Sequence, residues 1–344
     1  MKAMIWRNYD QLVWSEVPEP QCTAGSVKLK VLSAGVCATD VHVITGSFDN
    51  GKPPHILGHE ICGEIVEVGT SVQSSSVGDR VVVETAVGCG QCAYCRTGNK
   101  HLCECGGEIG FPPYPGGYAQ YVVVPQSCIR KIPQAVSNDA GGILEAVACP
   151  AGAIYRLGLS PEDTVFIQGA GVAGLSFVQT AKAFGAKKII VSARNEARLQ
   201  FAKSFGADVV INTNKEHLEQ RVMEETNGKG ADLCIEAAGA PATVEAAVRL
   251  AKKGGAVILY GIPGDSADIR FPVKEVILRQ ITIHGLTNNE LVWEPLIDMV
   301  ARGAIRVQDM VTHRFKLRDL DKAVELLKHH PDSLIKAVVH PWEE

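Results

Sequence analysis

The chain has 344 residues, of which 46% are hydrophobic and 21% are charged, a balance typical of a globular protein and not of a disordered one. This length exceeds one ordinary compact domain, so we expect two domains. The formal net charge of −4 gives no electrostatic reason to expect a nucleic-acid or anionic-membrane partner. We find neither a signal-type apolar core nor a run long enough to span a bilayer, and we therefore expect a cytoplasmic protein.

The first half of the chain contains short β-branched runs that are separated by Gly, Pro and polar turns. These runs lie at 27–32, 63–69, 79–84 and 121–125. They predict strands of an antiparallel or barrel-like β domain.

The pattern changes around Pro161, where strand-like runs begin to alternate with helix-like runs. The strand-like runs lie at 164–168, 188–192, 208–211, 232–236, 256–260 and 281–284, and the helix-like runs include 172–184 and 196–205. Strands separated by helices of this length predict βαβ units and a parallel sheet. The last two runs, a helix at 320–329 and a strand at 336–340, could belong to either domain.

Closely spaced cysteines form the strongest chemical signal: Cys89, Cys92, Cys95 and Cys103. In a reducing compartment, clustered cysteines are more often metal ligands than disulfides. Three thiolates on one tight loop, with Cys103 as the fourth, complete a tetrahedron that has no open position. Such a set describes a structural zinc site. Cys105 is the weaker candidate for the fourth ligand.

Cys37 and His59 offer two ligands of a second kind of zinc site. A catalytic site needs three protein ligands and one exchangeable position for water or substrate. Glu145 is our candidate for the third ligand, because it lies within an apolar stretch, where a charge is unfavourable unless it is paired or bound to metal. Glu60 and Cys149 are the competing candidates.

The glycine-rich turn at 169–174 directly follows the strand-like run 164–168 and opens a helix-like run. Glycines there permit a tight turn, close approach of the backbone to a pyrophosphate, and helix–sheet packing. Because a helix N-terminus favours phosphate, we expect the turn to bind a dinucleotide through Gly169, Gly171, Val172, Ala173 and Gly174.

The end of the following strand distinguishes NADP from NAD in such folds. NAD-specific folds place an acidic residue there, whereas this chain has Ser192, Ala193 and Arg194, with Arg198 further along. Arg194 comes just before the expected helix start, where a cation is unfavourable unless an anion is near. The 2′-phosphate of NADP would be that anion, so NADP is favoured over NAD. The alternative is that both arginines are solvated and NAD binds.

These motifs together resemble the medium-chain zinc-dependent alcohol dehydrogenase family over nearly the whole chain. Gly58-His59-Glu60-x-x-Gly63, the cysteine loop and Gly116-Gly-Tyr-Ala-Gln-Tyr match its patterns. The resemblance implies an α/β fold with a chaperonin-10-like β-barrel catalytic domain at 1–150 and 287–344. It implies a Rossmann domain with a doubly wound parallel sheet at 151–286. It also implies two zinc ions per chain, and a homodimer or homotetramer that pairs through late strands of the Rossmann sheet.

The resemblance also implies roles for the residues around the catalytic zinc. Cys37 and His59 would bind the ion, and Glu145 falls where the polyol and threonine branches place a carboxylate ligand. Glu60 matches a residue beside the metal that coordinates it transiently. Asp40 matches an acceptor that orients the histidine ligand.

Two further residues would carry the alcohol proton. Thr39 matches the hydroxyl that contacts the substrate oxygen, and His42 matches the distal member of a proton relay to solvent. The joint presence of Cys37, Thr39, His42 and His59 favours an enzyme over a non-catalytic nucleotide-binding relative.

Within the family, the chain is most similar to the sorbitol, threonine and sugar dehydrogenase branch, which includes aminocyclitol dehydrogenases of the 2-deoxy-scyllo-inosamine type. It departs from polyol dehydrogenases at Ala146-Val147, where they usually have Pro-Leu, and from NAD enzymes at Ala193. We expect hydride transfer between a secondary alcohol of a polyol, sugar or (amino)cyclitol and NADP(H). A threonine-type amino-alcohol dehydrogenase is the alternative enzyme.

Overall fold

The computed structural model describes residues 1–263, 267–287, 289–329 and 331–343. Contacts within the chain divide it into two compact units. The first contains Met1–Glu145, Trp293–Arg302 and Val307–Glu344, and the second contains Ala146–Val292 and Gly303–Arg306. The expected domain boundaries at 150/151 and 286/287 fall near these breaks, and they stay a prediction.

Strands with a few short helices make up the N-terminal part of the chain. They are β1 (Lys2–Asn8), β2 (Gln11–Glu16), β3 (Ser26–Val36), α1 (Ala38–Thr45), β4 (Ile61–Val68), β5 (Arg80–Val83), β6 (Ala86–Val87), α2 (Ala93–Arg96), β7 (Gly107–Glu108), β8 (Tyr121–Pro125), β9 (Ile129–Lys131), α3 (Asn138–Gly142) and α4 (Leu144–Leu157).

Strands and helices alternate in the central part. They are β10 (Thr164–Gln168), α5 (Val172–Ala183), β11 (Lys188–Ala193), α6 (Glu196–Ser204), β12 (Val209–Asn212), α7 (Leu218–Glu225), β13 (Ala231–Glu236), α8 (Pro241–Leu250), β14 (Ala251–Leu259), α9 (Val273–Arg279) and β15 (Thr282–Gly285). The C-terminal part adds α10 (Trp293–Ala301), β16 (Val311–Lys316), α11 (Leu320–His329) and β17 (Lys336–His340). Among the helices of the described residues, none is long and apolar enough to cross a membrane.

A seven-stranded sheet forms the centre of the first unit, in the order β16-β17-β3-β4-β5-β9, with β8 also paired to β3. β16 and β17 are parallel, and the other neighbours are antiparallel. Along β3, the fully buried Val27, Leu29 and Val31 alternate with partly exposed Lys28 and Lys30, the period-2 pattern of a strand with one face on a core. Because β17 pairs with β3, the C-terminal strand belongs to this unit.

A six-stranded sheet forms the second unit, in the order β12-β11-β10-β13-β14-β15. Every pair of neighbours is parallel, so the predicted parallel sheet is confirmed. The buried run of Val165, Phe166 and Ile167 in β10 is typical of a parallel strand that is covered on both faces. Chain order reverses between β10 and β13, and open α/β sheets bind ligands beyond the carboxyl ends of the strands at such a point.

The turn at 169–174, which follows β10, leaves little space for a side chain at Gly169 or Gly174. Gly169 has a φ of +102°, a conformation that L side chains rarely adopt. A Cβ at Gly174 would lie 1.9 Å from the carbonyl oxygen of Gly169. In contrast, apart from Gly171 itself and its two chain neighbours, no heavy atom of the described residues lies within 4 Å of a Cβ placed there. Gly174 is therefore needed for helix–strand packing, whereas Gly171 faces open space.

We expect Gly174→Ala to destabilise the second unit by about 1–3 kcal/mol, because the added methyl group forces α5 away from β10. Gly171→Ala is the matched control, and we expect it to change stability by less than about 1 kcal/mol. Thermal melting followed by far-ultraviolet circular dichroism measures both. Equal melting temperatures for the two variants would contradict this account of the turn.

Candidate active site

The pairing of β3 with β4 brings the candidate catalytic ligands together. Cys37 directly follows β3, and His59 and Glu60 directly precede β4. Because the two strands are antiparallel, with Ala34 opposite Ile61, the end of one lies beside the start of the other. The ligand atoms of Cys37, His59 and Glu60 all lie within 4.8 Å of one another.

Asp40 fixes the orientation of the His59 ring through a contact at Nδ1. Cys37 precedes α1, and its backbone N–H donates to Asp40 Oδ2 at 3.1 Å, which holds the carboxylate in the first helical turn. His59 Nδ1 lies 3.2 Å from Asp40 Oδ1, and the Tyr118 hydroxyl donates to Asp40 Oδ2 at 2.7 Å. With Nδ1 directed at Asp40, the His59 nitrogen left for a metal is Nε2.

The pKa values of Asp40 and His59 move apart. Burial would raise the pKa of Asp40, but the His59 ring and the hydrogen bonds from His59, Tyr118 and Cys37 hold it below its ordinary value. Burial would lower the pKa of His59, but the neighbouring Asp40 and Cys37 raise it well above its ordinary value. Asp40 is therefore a carboxylate that can hold the imidazole firmly.

Glu60 is a buried carboxylate. Its Oε1 contacts a lysine, and its Oε2 has no hydrogen-bond partner among the described residues. Glu60 is 0% exposed and Lys336, at the start of β17, is 4% exposed. Lys336 Nζ lies 2.5 Å from Glu60 Oε1. Burial would lower the pKa of Lys336, but Glu60 raises it, so the pair is an ion pair. Within the described residues, Glu60 Oε2 is buried and has no hydrogen-bond partner.

This donor set fits a catalytic zinc ion. A thiolate, an imidazole and a carboxylate are common zinc ligands, and a site with three protein ligands keeps one position open for substrate. A buried oxygen without a partner is unfavourable, and coordination of a cation by Glu60 Oε2 would satisfy it. The residues present therefore suit the ion that the sequence predicts.

The other two ligand candidates, Glu145 and Cys149, are not part of this close set among the described residues. Glu145 is buried in the first turn of α4, and the set of mutually close ligand atoms found among the described residues contains Glu60 and not Glu145. Cys149 belongs to the second unit, where the Asn289 side-chain amide donates to its sulfur at 3.3 Å. The role of Glu145 as third ligand stays a prediction.

Thr39 and His42 lie on α1, on the same short helix as Asp40. The Thr39 hydroxyl oxygen is 3.6 Å from Cys37 Sγ, which places it beside the candidate metal ligands. His42 is exposed, and its Nδ1 lies 3.0 Å from the Ser47 hydroxyl. The two ends of the predicted relay thus lie at the ligands and at the surface.

In the segment that carries Cys89, Cys92, Cys95 and Cys103, backbone N–H groups donate hydrogen bonds to cysteine sulfur atoms. The sulfur atoms of Cys89, Cys92, Cys95 and Cys103 all lie within 4.8 Å of one another, and all eleven cysteines of the chain are free thiols. Backbone N–H groups of Gln91 and Cys92 donate to Cys89 Sγ and lower its pKa to about 6, whereas burial raises the pKa of Cys95 to about 12. Since zinc binds thiolates, this segment suits a structural zinc ion.

The Gly169–Gly174 turn is shaped for a phosphate group. Gly171 precedes α5, and among the described residues no side chain caps the first N–H groups of this helix. With open space beside Gly171, a pyrophosphate can reach those donors. On the next strand, Ser192 is buried and its carbonyl accepts from the Gly169 N–H at 2.8 Å, whereas Arg194 is exposed. These residues suit a dinucleotide.

Known proteins resemble the chain over almost its whole length. The family model described as "Alcohol dehydrogenase GroES-like domain" matches residues 23–134, and the one described as "Zinc-binding dehydrogenase" matches residues 173–302. A sorbitol dehydrogenase from Bacillus subtilis is 33% identical over 344 residues, with 99% of this chain and 97% of the relative covered. An L-threonine 3-dehydrogenase from Pyrococcus horikoshii is 34% identical over 324 residues, with 92% of each covered.

The chain belongs to the zinc-dependent medium-chain alcohol dehydrogenase family. Its relatives place it in the polyol and threonine branch, as the motifs predicted. Two solved structures share its fold, each with a TM-score of 0.92, 30% identity and 99% of both chains covered. One is a putative zinc-binding dehydrogenase from Sinorhizobium meliloti 1021 bound to NADP. The other is a short chain alcohol dehydrogenase from Escherichia coli CFT073 complexed with NADH.

Membership in this dehydrogenase family confirms several expectations. The chaperonin-10-like β domain and the Rossmann-type sheet are as predicted. The protein is a zinc-binding oxidoreductase that uses a nicotinamide cofactor, and not a non-catalytic relative.

Sequence reasoning missed two residues of the dehydrogenase site, Tyr118 and Lys336. Tyr118 lay inside the matched Gly116-Gly-Tyr-Ala-Gln-Tyr pattern, but nothing local in that pattern indicates that its hydroxyl contacts Asp40. Lys336 was interpreted only as the start of a strand. A lysine that begins the apolar run Ala-Val-Val was a signal, because a buried cation requires a buried partner.

We expect Cys92→Ser to lower the zinc content of the dehydrogenase by about one ion per chain and to reduce its melting temperature, since structural zinc contributes directly to folding. Cys105→Ser is the control, because Cys105 is exposed and lies outside the cysteine set. Atomic absorption and thermal melting measure the two effects. A Cys92→Ser protein with full zinc content would rule out this assignment.

Proposed function

We propose that this dehydrogenase transfers a hydride between a secondary alcohol of a polyol, sugar or (amino)cyclitol and NADP(H). The observation that carries the proposal is the cluster of Cys37, His59 and Glu60, with the bare oxygen of Glu60 buried among them. The substrate class is supported by the Bacillus subtilis relative, which is named as a sorbitol dehydrogenase. The free thiols favour a cytoplasmic location, which cell fractionation would test.

Cys37, His59 and a carboxylate from Glu60 or Glu145 would hold the catalytic zinc. A zinc ion bound there supplies Lewis acidity, which eases removal of the alcohol proton and stabilises oxyanion character. Asp40 keeps the imidazole of His59 in the orientation that binding requires.

Thr39 and His42 would move the proton between substrate and solvent. The Thr39 hydroxyl, beside Cys37, accepts the proton of the alcohol and passes it outward. His42 is exposed, and its Nδ1 lies within hydrogen-bond distance of the Ser47 hydroxyl, so its imidazole can exchange a proton with water. A direct contact between Thr39 and His42 is not required, because water can bridge them.

We infer that the dehydrogenase prefers NADP to NAD. Ala193 leaves no carboxylate to accept from a ribose 2′-hydroxyl, and Arg194 is exposed just before Asn195, the N-cap of α6. A cation at that position is favourable when a 2′-phosphate lies beside it. Similar structures contain NADP or NADH, so the choice depends on these residues of the chain itself.

A threonine-type dehydrogenase is the second candidate function. The Pyrococcus horikoshii relative, at 34% identity, is named as an L-threonine 3-dehydrogenase and favours it. An amino-acid substrate carries a carboxylate and an ammonium group, so it requires matching charges at the site, which a polyol does not.

The decisive measurement is reduced-nicotinamide formation by the zinc-loaded protein on polyols, cyclitols, aminocyclitols, threonine and simple secondary alcohols, with NADP and NAD in parallel. We expect turnover of a polyol or cyclitol with NADP. Cys37→Ala should reduce it by a factor on the order of 10⁴, because several kcal/mol of oxyanion stabilisation disappear. Cys105→Ser should retain full activity.

The Arg194→Ala variant tests whether Arg194 is responsible for the preference for NADP over NAD. We expect this variant to raise the KM for NADP by about 10- to 100-fold, the loss of a charge-assisted contact, and to leave the KM for NAD unchanged. Turnover with NAD and not with NADP would support the proposed dehydrogenase activity but overturn the preference for NADP. Turnover of threonine alone would select the second candidate, and no turnover of any substrate would contradict both.

We also propose that the protein is at least a homodimer that pairs through β15. Among the described strands, β15 pairs only with β14, and an open edge strand needs cover. Ile277 and Leu278, on the preceding helix α9, are 67% and 69% exposed. Exposed apolar side chains beside an open edge are typical of a contact between subunits.

Sedimentation equilibrium tests this assembly. We expect the wild type to have at least twice the mass of one chain, and the double variant Ile277→Asp, Leu278→Asp to dissociate, since charges in an apolar interface are unfavourable. Val77→Asp is the matched control, because Val77 is 62% exposed and lies in the first unit. A monomeric wild type at micromolar concentration would contradict the proposal.

A further inference from the structure

We propose that Tyr118 is a positioning residue for the metal-binding histidine: its hydroxyl fixes Asp40, and Asp40 in turn fixes the ring of His59. This inference rests on the proposed role of His59 as a ligand of the catalytic zinc. Among the described residues, the Tyr118 hydroxyl bonds to Asp40 and to the Gly35 carbonyl and not to a candidate ligand atom, so its effect passes through Asp40.

The backbone attaches Tyr118 to the turn that carries His59. The Tyr118 N–H donates to the Leu57 carbonyl at 3.0 Å, and the Gly117 N–H donates to the Gly58 carbonyl at 2.7 Å. The aromatic ring of Tyr118 packs against Gly58, where an added Cβ would lie 2.7 Å from a ring carbon. Gly58 has a φ of +95°. The ring of Tyr118 and the turn before His59 are therefore packed as one rigid piece.

The hydroxyl of Tyr118 has one proton and two nearby acceptors. Asp40 Oδ2 lies at 2.7 Å and the Gly35 carbonyl oxygen at 3.2 Å. The shorter contact is to an ionised carboxylate, which is the stronger acceptor. Tyr118 is 0% exposed, so no bulk water competes for this proton. The geometry therefore indicates that the Tyr118 hydroxyl donates its hydrogen bond to Asp40 Oδ2.

The carboxylate of Asp40 is held at both oxygens. Oδ2 accepts from the Tyr118 hydroxyl and from the Cys37 N–H at 3.1 Å, and Oδ1 faces His59 Nδ1 at 3.2 Å. Without the hydroxyl, the Cys37 N–H alone would hold Oδ2, and the carboxylate plane could turn. The His59 ring, whose Nδ1 depends on that plane, would then present Nε2 to the metal less accurately.

The test is a zinc titration against a chromogenic chelator, with wild type, Tyr118→Phe and Tyr121→Phe. Loss of an outer partner of a ligating histidine typically weakens metal binding by 10- to 100-fold. Because Tyr118 is one hydrogen bond further out, we expect Tyr118→Phe to weaken catalytic zinc binding by about 10-fold. The phenylalanine ring keeps the packing against Gly58. Tyr121→Phe is the matched control, since Tyr121 packs on Trp342.

Cys37→Ala identifies which phase of the zinc titration belongs to the catalytic ion. The ion bound by the four cysteines is an internal control, because Tyr118→Phe should leave its affinity unchanged. A readout that is insensitive to general stability is the visible spectrum of the cobalt-substituted protein. We expect the ligand-field bands of the catalytic site to shift in Tyr118→Phe and not in Tyr121→Phe.

The outcomes separate this inference from the proposed function. Wild-type affinity and spectrum in Tyr118→Phe would overturn the role of Tyr118 and leave the zinc site intact. Equal weakening of both zinc phases would also overturn it, because the effect would then be loss of stability. If Cys37→Ala removes no phase from the wild-type titration, the proposed catalytic site itself is wrong, and the inference falls with it.

Discussion

The antiparallel pairing of β3 with β4 brings the candidate catalytic ligands of this dehydrogenase together. Cys37 follows one strand, and His59 and Glu60 precede the other. The candidate ligands therefore meet because the strands run in opposite directions with Ala34 opposite Ile61. A slip of one residue would turn every side chain of a strand to its other face. The buried alternation of β3, from Val27 to Val31, keeps one face of that part of the strand on the core. The pairing is irregular between Lys28 and Leu29 and between Val31 and Ser33, before it reaches the Ala34–Ile61 pair.

The site concentrates charge in a place where charge is unfavourable. Asp40 and Glu60 are both fully buried, and each is compensated by a separate neighbour. Asp40 is held by His59 and by hydrogen bonds, and Glu60 is held by Lys336 at one oxygen. Removal of one partner from a buried pair typically destabilises a protein by about 3–5 kcal/mol. The polar interior thus has a strong preference for one arrangement of its side chains.

Short-range patterns in the sequence predicted much of this architecture. Alternating strand and helix runs gave the central sheet, and the predicted helix at 172–184 corresponds to α5, Val172–Ala183. The spacing of Cys89, Cys92, Cys95 and Cys103 predicted a cluster that the fold does assemble. Each of these signals comes from residues close in the chain, where periodicity and turn chemistry act directly.

The contacts that complete the site come from distant parts of the chain. Glu60 and Lys336 are 276 positions apart, and Asp40 and Tyr118 are 78 apart. No local pattern links such residues, because their approach depends on sheet order. The same limit applies to the candidates for the third ligand. An apolar setting in the sequence favours Glu145, whereas the close approach of Glu60 to Cys37 and His59 becomes visible only in the fold.

The position of β17 inside its sheet has a consequence for biosynthesis. β17 lies between β16 and β3, so residues 336–340 fill an interior place in a sheet whose other members were mostly translated much earlier. Until residues 336–340 have been synthesised, β3 lacks its pairing with β17, and Glu60 lacks the cation of Lys336. Almost all of the second unit, in contrast, is one continuous segment, Ala146–Val292, and domains fold as units during synthesis. The segment Ala146–Val292 is therefore available for folding before residues 336–340 exist, and the sheet of the first unit cannot be completed until β17 has been made.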